Sequence, residues 1–158
     1  MNDSERQLIR HTLATLAYRC SKTIRGGDDE FANFRAGDGI RTPLEILAHI
    51  GDLLDWALTQ ANGEEKWSNA NPTSWTEQAD RFHAALKILD ERLASDQPIA
   101  CTYEKLFQGP IADALTHVGQ LATLRHLAGK KITGENYFVA KIETGRTGED
   151  QPPGVYEF

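Results

Sequence analysis

Two capping boxes constrain this chain more than any other feature. Thr42-Pro43-Leu44-Glu45 and Ser74-Trp75-Thr76-Glu77 each place a hydroxyl residue three positions ahead of a glutamate. In that pattern the hydroxyl accepts the glutamate's N–H and the carboxylate accepts the N–H of the hydroxyl residue, which fixes a helix start. Pro43 adds to the first box, because a first-turn N–H has no helical partner to lose. Behind each start the apolar residues recur at helical spacing. The first of these segments runs to about Gln60, with Asn62-Gly63 behind it. The second carries Phe82, Leu86, Leu89 and Leu93 and ends at Asp96-Gln97-Pro98.

Two more segments share the period. From Ser4 to Ile24, residues Ile9, Leu13, Leu16, Cys20 and Ile24 mark one face, and Gly26-Gly27 ends it. The last begins near Gly109-Pro110 and stops at Gly129, a helix-terminating glycine. The tail from Lys130 is rich in Gly, Pro and charge. It reads as irregular chain with one short extended stretch at Tyr137-Phe138-Val139-Ala140. Four amphipathic helices predict an all-α bundle in a single domain, 1–158, with the helices within about 4–129. The link from Ala61 to Thr73 spans about 40 Å when extended, against about 27 Å for a helix of roughly eighteen residues. That length permits a crossover between two parallel helices.

The chain has 158 residues, 40% hydrophobic and 25% charged, which suits one globular domain with a real core. Its net charge of -6 argues against a nucleic-acid footprint. No run approaches a membrane span and the polar start carries no signal peptide, so a cytoplasmic location is expected. Cys20 and Cys101 form no C-x-x-C pair and read as free thiols, with one bridge left open.

The chemistry concentrates in Asp113-Ala114-Leu115-Thr116-His117-Val118-Gly119-Gln120. Asp113 and His117 lie one turn apart on one helical face, a spacing from which one helix can offer two ligands to one metal. Asp113, His117 and Gln120 form a polar stripe between two apolar groups, which is costly unless paired or metal-bound. A satisfied core histidine is the competing reading. His49 lies at the edge of the second segment's apolar face, in a row with Glu45, Asp52 and Trp56. His11, His83 and His126 read as surface positions, and Asp28-Asp29-Glu30 and Glu64-Glu65-Lys66 as solvated loop charges.

Leu47-Ala48-His49-Ile50 followed by Trp56 resembles the second-helix motif of the DinB/YfiT-like superfamily. His117-Val118-Gly119-Gln120, running on to Gly129, resembles its last-helix motif. The resemblance implies a four-helix bundle, up-down-down-up with left-handed twist, and frequent homodimers. It implies a three-histidine metal site, to which His49 and His117 correspond as the first and third ligands. Asp113 stands where the family carries the middle histidine. The result is either a two-histidine, one-carboxylate site suited to Fe, Mn, Zn or Ni as divalent ions, or a weakened or lost one. Gln120 falls one turn beyond His117, a position for a residue supporting the ligands or the packing.

Two functions follow as expectations. One is a metal-dependent transferase or isomerase acting with a small-molecule thiol as cosubstrate. The other is a non-catalytic metal-binding stress protein or dimerisation module. In the tail, Tyr137 and Phe138 either fold back to wall the pocket or merely cover a helix end.

Overall fold

The computed structural model describes residues 3–158. Its chain is all-helical: α1 spans Asp3–Ile24, a short α2 Asp29–Ala32, α3 Pro43–Asn62, α4 Trp75–Ala94, a short α5 Tyr103–Leu106 and α6 Ala112–Leu127. No helix among the described residues is long and apolar enough to cross a membrane.

The capping boxes form where the sequence sets them. At α3 the box is complete: the Glu45 N–H donates to Thr42 Oγ1 at 3.2 Å, and the Thr42 N–H to Glu45 Oε2 at 2.7 Å. At α4 half of it forms. The Glu77 N–H donates to Ser74 Oγ at 3.2 Å, while the Glu77 carboxylate takes the Thr73 hydroxyl instead. Gly63 closes α3 at φ 79°, a left-handed conformation that strains any residue with a Cβ.

α1 packs on α4 and α6, and α3 packs on the same two helices. The periodic residues fill the space between them. Leu13 and Leu16 of α1, Ile50 and Leu54 of α3, Phe82 and Leu86 of α4, and Leu121 of α6 are all fully buried. Each such side chain contributes about 1.5–3 kcal/mol by leaving water. Leu127, near the end of α6, is 62% exposed. Cys20 is buried, Cys101 half-buried, and both are free thiols.

Arg81 ties α4 to α3. Its guanidinium crosses α3 at Gly51, donating to the Ala48 carbonyl at 3.0 Å, Asp52 at 2.7 Å and Asp55 at 2.6 Å. A Cβ at residue 51 would stand 2.7 Å from Arg81 Nη1, so any larger residue would push the guanidinium from this position. The link after α3 then turns back along that helix. Thr59 donates to the Lys66 carbonyl, Trp67 meets Trp56 at a ring separation of 5.8 Å, and the Ala70 N–H donates to Asp52.

Four sequence expectations are corrected. The last helix does not start at Gly109-Pro110: helical backbone begins at Tyr103, passes through a π-turn over Phe107–Ile111 and continues as α6. Pro110 lacks an N–H and its ring would collide with a carbonyl four residues back in an α-helix. The wider turn absorbs it, with the Ala112 N–H returning to the Gly109 and Phe107 carbonyls. Asp28 is no free loop charge, since it caps α2 and pairs with Lys130 at 2.8 Å. His83 is not a surface histidine, because the tail covers it and the Thr147 carbonyl lies 3.2 Å from its Nδ1. Residues Tyr137–Val139 form a 3-10 turn rather than an extended stretch; the extended contact of the tail is the bridge between Glu135 and Glu157.

The tail is held by a buried carboxylate. The Glu135 side chain is 1% exposed. It accepts the Tyr18 hydroxyl proton and, at 2.9 Å, the Lys22 ammonium, which also reaches Glu157 at 3.0 Å. Burial and the Glu135 carboxylate push the Tyr18 phenol well above its ordinary value, so it stays protonated and donating. Truncating one partner of a buried pair strands the other. Glu135→Ala is therefore expected to cost about 3 kcal/mol, lowering the melting temperature by roughly 6–12 °C, and Glu135→Gln clearly less. Thermal denaturation of the two variants checks this. Equal melting temperatures for Glu135→Ala and the parent would show that the tail is not anchored there.

Candidate metal centre

The α3 wheel sets His49 on the flank facing α6, between the buried residues Ala48 and Ile50. From α6, Asp113 and His117 project one turn apart. The π-turn immediately before them inserts an extra residue, so the face α6 turns toward His49 is rotated by roughly 100° from the one an unbroken α-helix would present.

The three side chains converge as the sequence predicts. Asp113 Oδ1 stands 3.4 Å from His117 Nε2, and Asp113 Oδ2 stands 3.6 Å from His49 Nε2. The two imidazole rings meet edge to face at 4.7 Å. One ligand atom from each residue falls within 4.8 Å of the others, a group that could hold a metal ion. The spacings bear on a metal site and a hydrogen-bonded core differently. Good N–H···O bonds close at about 2.7–3.2 Å, and neither histidine comes that near the carboxylate. Ligands about 2.1 Å from one ion at tetrahedral angles stand roughly 3.4 Å apart, and each histidine Nε2 lies near that distance from one of the two Asp113 oxygens.

Protonation states agree. Burial pushes the His49 imidazole below its ordinary value, with His117 and Arg41 acting in the same direction and Asp113 opposing. A neutral imidazole is the form that binds metal. On His117, Nδ1 meets Gln120 Oε1 at 2.7 Å. That contact assigns the ring proton to Nδ1 and leaves Nε2 with a lone pair toward the centre. The side chains of His49 and His117 are 19% and 12% exposed and that of Asp113 is 49% exposed, so the centre lies open to solvent along α6.

Two surfaces border it. On one side a groove of ≈ 690 Å³ reaches His117 and Gln120 between α6 and the segment before α3, with Ile40, Arg41 and Ile46 opposite. On the other, Asp113 shares a shallower recess with Trp56, Gln108 and Gly109. Trp67 arrives from the link after α3, its ring 5.9 Å from that of His49. Trp56 thus lines the recess beside Asp113. Trp67 and Arg41 were missed. An isolated tryptophan inside a polar link was a usable signal for the first, and nothing marked the second.

Tyr137 goes elsewhere. Its ring stands edge-on to Tyr18 at 6.2 Å and beneath the Arg19 guanidinium at 4.0 Å. It lines a separate groove between α1 and α6, on the other side of Thr116 and Gly119. Tyr137 covers a helix flank rather than walling the candidate centre, and Phe138 does neither, standing 97% exposed.

No family model, curated protein or solved structure matches this chain.

Gln120 offers a direct check of the geometry. Gln120→Ala frees the His117 ring to rotate and to change tautomer, and is expected to weaken zinc binding about 10–100-fold without changing the melting temperature of the metal-free protein. Competition against a chromophoric chelator measures it. Unchanged affinity would mean that the Nδ1 contact does not orient the ligand.

Proposed function

We propose that this chain is a divalent-metal protein of the DinB/YfiT-like type whose centre is His49, Asp113 and His117. The observation that carries the proposal is the convergence of two imidazoles and one carboxylate, with one ligand atom of each within 4.8 Å of the others, beside an open groove. A purely structural metal site has no need of that groove.

The same reading takes the four long helices as an up-down-down-up bundle. Cross-links at both ends support it. Arg81 and Arg92 of α4 bond the middle and the last turn of α3 respectively, in the same order along both helices. Arg10 pairs with Asp90, and Trp75 donates to the Ile24 carbonyl, so α1 and α4 run in opposite senses. Arg6 meets Tyr103 and Arg125 meets the Arg25 carbonyl, so α1 and the last helix run together. The left-handed twist rests on the family resemblance.

Two histidines and one carboxylate suit zinc, nickel, iron or manganese as divalent ions. A bound ion of this kind acts as a Lewis acid and lowers the pKa of a small-molecule thiol to yield a nucleophile at neutral pH. Within that chemistry His49, Asp113 and His117 hold the ion, Gln120 fixes the His117 tautomer, and Trp56 and Trp67 limit water on one flank. Both cysteines are poor nucleophiles. Burial pushes Cys20 up to about 12 and raises Cys101 as well, so the reacting thiol comes from a cosubstrate. The protein is read as a cytoplasmic metal-dependent thiol transferase. A non-catalytic metal-binding module is the second reading, favoured by the carboxylate at position 113 in place of a histidine.

Protein purified without a polyhistidine tag is expected to carry about one equivalent of divalent metal per chain. His49→Ala and His117→Ala should each lose about 100-fold or more in affinity, and a screen of thiol additions to electrophiles should show turnover that the alanine variants lack. Stoichiometric metal with no turnover would select the second reading, and a metal-free protein that takes up no zinc would defeat both. A homodimer is part of the proposal. Leu8 and Phe107 are 65% and 46% exposed on one apolar groove beside Ile9 and Tyr103, a surface a second copy would cover. Sedimentation at micromolar concentration should give about twice the 17.6 kDa chain mass, and a monomer mass would overturn that part.

A further inference from the structure

The groove beside His117 has an electrostatic character the protein as a whole lacks. The chain carries 23 acidic and 17 basic residues, net -6. Yet the groove is lined by no carboxylate, and its one permanently charged lining residue is a cation, Arg41. Arg41 is exposed, and among the described residues its guanidinium makes no hydrogen bond or ion pair with the protein. Most of the other arginines are engaged: Arg10 with Asp90, Arg81 with Asp52 and Asp55, Arg92 with Asn62, Arg125 with a backbone carbonyl. The remaining walls are apolar at Ile40, Ile46 and Leu124, with Thr116 and Thr123 as neutral hydrogen-bond partners. A free guanidinium presents a planar fork of donors that matches a carboxylate in two-point contact.

We propose that Arg41 is the specificity-determining residue of the metal centre and that the substrate occupying this groove is an organic carboxylate with an apolar body. The carboxylate docks on Arg41, the body lies on Ile40, Ile46 and Leu124, and the reacting end reaches His49, Asp113 and His117. This deepens the metal-centre reading and rests on it. A single cation in a bounded groove fits a small anion and not a polyanion, which needs a row of them.

The test compares acids with their neutral esters. Zinc-loaded protein is titrated calorimetrically with 2-benzyl-3-mercaptopropanoate and its methyl ester, and with glutathione and its diethyl ester as a longer pair. In at least one pair the acid is expected to bind about tenfold more tightly than the ester, the scale of one charge-assisted contact. Arg41→Gln should abolish that difference while leaving zinc content and ester affinity as they were, and Arg41→Lys should keep part of it. Acid and ester binding alike in both pairs, or a preference that survives Arg41→Gln, overturns the proposal and leaves the metal reading standing. Failure to load zinc, measured by elemental analysis, overturns the metal reading and this proposal together.

Discussion

Arg81 is the interaction on which the rest of the arrangement depends. It places one cation between two carboxylates of α3 and a backbone carbonyl of the same helix, close over Gly51, where a Cβ would displace it. A cation so enclosed is favourable only while its partners remain, so α3 and α4 keep one relative rotation. Asp52 serves a second time, accepting the Ala70 N–H and drawing the link back over α3. That return path delivers Trp67 to His49. The same few atoms thus hold two helices together, route the link between them and build one wall of the metal centre.

The second constraint is the π-turn at Phe107–Ile111. A proline in a helix removes a backbone donor and forces the turn open. Here the disturbance is placed just before the two α6 ligands, and its outcome is a rotation of Asp113 and His117 toward α3. Extra-residue turns of this type recur at functional sites because they re-aim one helical face at a small energetic cost.

What was legible in the sequence was whatever is local. Capping boxes, helical period and the shared face of Asp113 and His117 are set within one or two turns of chain, so the four long helices and two of the three candidate ligands were marked in the sequence, with a core histidine as the competing reading. His49 needed the additional knowledge of which helix it faces, which came from resemblance. Gly109-Pro110 was read as a helix start because proline suits a first turn as well as it suits an opened one, and only the packing of Leu106 and Ile111 into the core distinguishes the two. Glu135 was invisible for a different reason: a carboxylate in a polar tail reads as solvated until Tyr18 and Lys22, more than a hundred residues away, are known to bury it. Trp67 and Arg41 belong to the same class, since their positions follow from the path of loops rather than from any period.

The carboxylate at position 113 changes more than the ligand count. Three neutral histidines leave a divalent ion with its full charge of two, whereas two histidines and one carboxylate leave a net charge of one. Lower residual charge weakens the hold on an anionic substrate at the ion itself. With the proposed ion bound, a second positive group in the same groove would offset that loss, and Arg41 is the cation that lines it. Its charge also acts on His49, where it works with burial to keep the imidazole neutral and able to coordinate. In the proposed site Asp113 and Arg41 are therefore best understood together: the first would lower the charge of a bound ion, and the second would restore positive potential along the groove, where an anion would be selected by shape as well as by charge.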